Sequence, residues 1–153
     1  MKSVLISIQP KWCALIASGK KTIEVRKSKP QLDTPFKCYM YETKEGRGKV
    51  VGEFICDKVV DAREVGATDF YSQSQMTYEE FRSYTDTHKG NVYVWYILSP
   101  KMYKEPKELR EFTDMQHCPY GGLVDCKECE NRCIQRAPMS WRYVDKWNRR
   151  DAK

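Results

Sequence analysis

The run Val50–Val60 (VVGEFICDKVV) constrains this chain most. It is rich in β-branched residues and follows the turn-forming stretch KEGRGK, so it reads as a strand leaving a hairpin. Most strands hold about 5–6 residues. One this long has to bend or bulge to stay inside a chain of 153 residues. Three more strand patterns precede it: Ser3–Gln9, Lys21–Lys27 and Phe36–Glu42. A fifth, Asn91–Leu98 (NVYVWYIL), is strongly aromatic and is expected to lie mostly in the core. Five or six strands with long, curved members predict an α+β fold: a small closed or partly closed barrel with short helices at its ends.

Two helices stand out between these strands. Pro10 suits a first helical position, and Trp12, Leu15 and Ile16 follow at helical spacing up to Gly19. Thr77 with Glu80 three residues on forms a capping box for a helix running to about Thr85. The stretch before Thr77 is polar and ambiguous, and Pro106–Phe112 reads as a short helix or turn. No apolar run approaches the roughly 18–20 residues that cross a bilayer. The opening MKSVLISIQPKW is too short for a secretory leader and lacks a small-residue cleavage site, so it reads as a strand. A cytoplasmic location without a membrane partner is expected.

Charge is uneven. Residues 1–49 hold 11 Lys/Arg against 4 Asp/Glu, or +7, while residues 50–100 hold 4 against 8, or −4. A basic first third fits an anionic partner such as nucleic acid, and equally a surface kept basic for solubility.

The segment Gly19–Arg26 (GKKTIEVR) concentrates the candidate chemistry. Alternation puts Thr22, Glu24 and Arg26 on one strand face and Lys21, Ile23 and Val25 on the other. Lys21 joins Glu24 and Arg26 only if the preceding turn or a bulge re-aims it. Arg26 and Lys21 would then hold phosphate while Glu24 accepts from a base or hydroxyl. Burial would instead tune Lys21 and Glu24 for acid–base or nucleophilic work. Lys20, Lys27 and Lys29 would extend a phosphate track, and Trp12 is a neighbour on the helix. An exposed charged strand is the plainer alternative.

Ile6–Pro10, Lys11-Trp12 and the spaced set Gly19, Lys21, Glu24 and Arg26 resemble the signature of the ASCH domain, a PUA-like β-barrel family. Val50–Asp61 and Val92–Phe112 extend the resemblance. Pro138, Ser140, Trp141, Tyr143 and Val144 are similar to the ending of a subgroup common in phages and Gram-positive bacteria. The resemblance implies an RNA- or nucleotide-binding groove lined by Lys21, Glu24 and Arg26. Some members are hydrolases: one branch is ribonuclease-like, and another deacetylates N4-acetylcytidine with a Lys, a Thr and a Glu. Lys21 matches that lysine, but Glu24 stands at the threonine position and Ser74 or a neighbour near the glutamate. The resemblance therefore favours a binder, with a hydrolase of RNA or a modified nucleoside as the alternative and Lys21 and Glu24 as its catalytic candidates.

Seven cysteines remain to be placed. Cys13, Cys38 and Cys56 sit in apolar patterns and are expected as buried thiols. Cys118, Cys126, Cys129 and Cys133 supply four soft ligands at a spacing that suits a closed, structural zinc site, with His117 able to replace one of them. An iron–sulfur cluster, or plain thiols on a loop, would give the same pattern. On this reading the barrel covers 1–112, a cysteine-rich zinc lobe 113–137, and a segment packing back on the barrel 138–153.

Overall fold

The computed structural model describes residues 2–113 and 133–146. Its elements are β1 (Ser3–Ile8), α1 (Pro10–Ala17), β2 (Ile23–Arg26), β3 (Phe36–Glu42) and β4 (Lys49–Asp61). They continue with α2 (Ala67–Ser74), α3 (Tyr78–Thr85), β5 (Tyr93–Lys107), β6 (Phe112–Thr113) and β7 (Trp141–Lys146). The strands form one seven-stranded sheet in the order β2-β5-β4-β3-β1-β7-β6. The pairing β1·β3 is parallel and the rest are antiparallel. The α+β class is as expected; the sheet has seven strands where five or six were expected, and α2 falls in the stretch read as polar and ambiguous.

β1 is buried at all six positions because it is covered on both faces. Val4, Ile6 and Ile8 join Phe36, Cys38, Met40, Phe54 and Trp95 in one core. Leu5 joins Tyr39, Tyr41, Phe112 and Val144 in a second core on the opposite face. A third cluster sets Ile23, Val25 and Val94 against Phe70 of α2, with Phe81 and Tyr84 of α3 packed on it. The two helices thus cover the outer face of β2 and β5 at the end of the sheet that carries the Gly19–Arg26 segment.

The sheet is rolled. β2 and β1 stand four strand spacings apart in the sheet order, about 19 Å if it were flat. Yet the Arg26 Nη2 donates to the Ser7 carbonyl at 2.7 Å. Bulges supply the curvature: the β4·β5 register shifts three times along its length, as an over-long β4 requires. Gly52 sits at one shift, where an added Cβ would meet the Lys101 carbonyl at 2.5 Å. β5 runs on through Pro100 and Pro106 to Lys107, so the turn expected at Pro106 begins later, at Leu109. It does so by way of Ser99 at φ 51 and the same register shifts, which accommodate residues a regular ladder would not.

Candidate functional site

The site is built at the α1–β2 corner. α1 ends at Ala17 with Ser18 as its C-cap, and Gly19 turns the chain with φ +81, a region that costs other residues a Cβ clash. The Lys20 and Lys21 amides both donate to the Leu15 carbonyl, at 3.1 and 3.0 Å. Strand geometry begins only at Ile23. Alternation therefore does not govern Lys21, and its side chain turns inward to 2% exposure. The Lys21 Nζ donates to the Ser74 carbonyl at 2.7 Å and lies 4.7 Å from the Trp12 ring centre. Burial lowers its pKa. Glu24 opposes that shift, and Arg26 reinforces it through like charge.

Glu24 is buried as well, at 6% exposure. Its Oε1 accepts from the Val25 amide at 3.1 Å and lies 3.8 Å from the Arg26 Nε. Its Oε2 is buried without a hydrogen-bond partner among the described residues. So are the Arg26 Nε and the indole N–H of Trp95, the residue directly opposite Glu24 in the β2·β5 ladder. A buried polar group left unpaired costs about 1–3 kcal/mol. Three such groups stand on neighbouring ladder positions, and the described residues give none of them a hydrogen-bond partner.

Arg26 is occupied differently from a phosphate ligand. Nη2 serves the Ser7 carbonyl, and Nη1 serves the Ser140 carbonyl and hydroxyl at 3.3 and 3.2 Å. Ser140 leads into β7, and its carbonyl also accepts the Ser7 amide at 2.9 Å. Arg26 therefore straps β2 to the far side of the rolled sheet and presents its Nε to Glu24.

Around this centre, Trp12 is half-buried and carries Lys11 at 4.4 Å from its ring centre in addition to Lys21. Lys11 also donates to Glu80 Oε2 at 2.8 Å. Lys20 is exposed. Lys27 and Lys29 are exposed and rest over Tyr84 and Tyr93, at 4.5 and 5.3 Å. The structure thus brings Lys21, Glu24, Arg26 and Trp12 together and leaves Lys20, Lys27 and Lys29 on the surface. Sequence reasoning named Lys11 only within the family resemblance and not as a site residue, and it read Glu80 only as a helix cap. It weighed Ser74 only as a side chain, whereas its carbonyl is what holds Lys21.

Cys13, Cys38 and Cys56 are buried, and burial pushes the Cys13 and Cys56 thiols up to about 12. Cys118, Cys126, Cys129 and His117 lie outside the described residues. Cys133 lies inside them, bridged to Thr113 at the sheet edge. Among the described residues no helix is long and apolar enough to cross a membrane.

The ASCH domain family model matches residues 6–131. The chain belongs to the ASCH domain family. Among solved structures, this ASCH chain is similar to the ASCH protein of Zymomonas mobilis at 18% identity and a TM-score of 0.67, covering 98% of this chain and 90% of that one. Two single-substitution variants of that protein match with a TM-score of 0.68 at 18% identity. They cover 98% and 99% of this chain and 90% and 94% of theirs. At that identity the likeness speaks for the fold. No curated protein matches the chain significantly.

Proposed function

We propose that this ASCH domain binds RNA or a nucleotide at the Lys21–Glu24 centre, with the exposed Lys20, Lys27 and Lys29 attracting phosphate. The observation that carries the reading is the unpartnered Oε2 of buried Glu24. A carboxylate oxygen only accepts, so its complement is a ligand N–H or O–H, as base edges and ribose provide. Lys21 beside it supplies a donor, and Trp12 an aromatic wall. The family's RNA-binding character and the basic first third point the same way. In this reading the protein would work in the cytoplasm, and the C-terminal cysteines would hold a structural zinc. The similarity of its ending to phage and Gram-positive members belongs to the same reading.

Hydrolysis of RNA or of a modified nucleoside is a second reading. It rests on Lys21, whose burial favours the neutral, nucleophilic amine. By the resemblance, Glu24 and Ser74 or a neighbour stand where the deacetylating branch has other groups, so such chemistry would use a different arrangement.

Titration of a labelled single-stranded RNA and of nucleoside monophosphates into the wild type, Lys21→Met and Glu24→Gln separates the readings. Binding is expected to weaken at least about tenfold in both variants, the loss of a buried charged partner. Wild-type affinity in both folded variants would refute the site. Product formation lost with binding kept would transfer the assignment to the hydrolase.

A further inference from the structure

On the exposed side of Trp12, next to Lys21, lies an ion pair that the binding reading leaves unused. Lys11, in the first turn of α1, meets Glu80, in the first turn of α3, at 2.8 Å. These residues are 69 positions apart in sequence, and both are solvent-accessible, with side chains 58% and 34% exposed. Lys11 lies on the Trp12 ring, which also carries Lys21. Both members act electrostatically on Lys21, Glu80 favouring its charge and Lys11 opposing it. The pair therefore borders the same centre.

Its two halves are unequally held. Glu80 Oε1 accepts the Thr77 amide at 3.0 Å while the Thr77 hydroxyl accepts the Glu80 amide at 3.1 Å. This capping box keeps Glu80 in place with or without Lys11. Lys11, among the described residues, gives one of its three N–H donors to Glu80. An exposed pair of this kind is weak and easily exchanged.

We infer that Lys11 is a phosphate-binding residue at this site and that Glu80 is an internal competitor that holds Lys11 until a phosphate displaces it. This rests on the binding reading and orients the ligand within it. The buried end offers the acceptor Oε2 of Glu24, which repels phosphate and takes a base N–H. The exposed end offers a cation guarded by a removable carboxylate. A ligand bound base inward, with its phosphate left at the exposed pair, satisfies both ends.

The competitor role has a signature that a structural clasp lacks: removing the acid should tighten binding. Glu80→Gln keeps the capping amide and removes the charge. It is compared with Glu79→Gln, which removes an equal charge from the exposed neighbouring position. The probes are a fluorescein-labelled, mixed-sequence single-stranded RNA read by anisotropy, and nucleoside 5′-monophosphates read by calorimetry. The first presents phosphodiesters and the second monoesters, so the probe that responds identifies the phosphate.

Glu80→Gln is expected to tighten binding about threefold, the equivalent of a surface ion pair, and Glu79→Gln by much less. Lys11→Gln is expected to weaken binding about fivefold and to lower the salt slope by about one counterion. In the Lys11→Gln background Glu80→Gln should no longer tighten. Unchanged or weaker binding in Glu80→Gln overturns this inference alone, as does equal tightening with Lys11 absent. Wild-type binding to neither probe overturns the binding reading and this inference with it.

Discussion

Arg26 lies in the stretch that resembles the family signature, yet its geometry assigns it to holding the sheet together. Arg26→Gln removes the Nη2 bond to the Ser7 carbonyl at 2.7 Å and the shared Nη1 contacts to Ser140 at 3.3 and 3.2 Å. It also removes the cation 3.8 Å from buried Glu24. A charge-assisted hydrogen bond contributes about 1.5–3 kcal/mol, and the longer, shared contacts less. The Ser140 carbonyl keeps its bond from the Ser7 amide, which limits the loss. The sum is about 3 kcal/mol, or a fall in Tm of about 6–12 °C for a chain of this size. Urea unfolding followed by circular dichroism measures it. Arg26→Lys is expected to recover less than half, because an ammonium cannot span Ser7 and Ser140 together. A destabilisation below about 0.5 kcal/mol, the range of ordinary surface changes, with RNA binding abolished, would refute the strap and return Arg26 to the ligand-binding set.

Lys21 makes stability depend on pH with a definite sign. Its folded pKa lies below the usual 10.5, so above the folded value the unfolded chain binds more protons. Its contribution therefore grows as pH rises toward 10.5 and then levels off. The wild type should gain stability relative to Lys21→Met over that window, as followed by urea midpoints; a constant difference would contradict burial of the ammonium. For the cysteine segment we propose one zinc per chain, seen by elemental analysis of the purified protein. Replacing Cys126 and Cys129 together by Ser should remove the metal, and metal-free wild-type protein would end that reading.

Local signals were legible from sequence and non-local ones were not. Pro10 opens α1 and Gly19 closes it by conformations those residues favour, so the helix could be read directly. The Thr77–Glu80 box is present as its spacing required. α2 was invisible because neither end carries its usual mark. Gly66 offers no side-chain cap, and the left-handed stop is Gln75 at φ 62 where glycine is the common choice. That omission hid the role of the Ser74 carbonyl as the partner of Lys21. The inward turn of Lys21 was likewise out of reach of alternation, because β2 starts two residues later than the pattern implied. Arg26 meets Ser140 across 114 positions, a contact only the rolled sheet creates.

The bridge between Thr113 and Cys133 carries a consequence of its own. The Ile134 amide also donates to the Phe112 carbonyl at 2.9 Å, so the chain departs and returns at adjacent points of one sheet edge. The two described ends are therefore tied to one another by the sheet itself. Phe112 and Ile134 also share one core with Leu5 and Val144, so truncating either would loosen both ends at once.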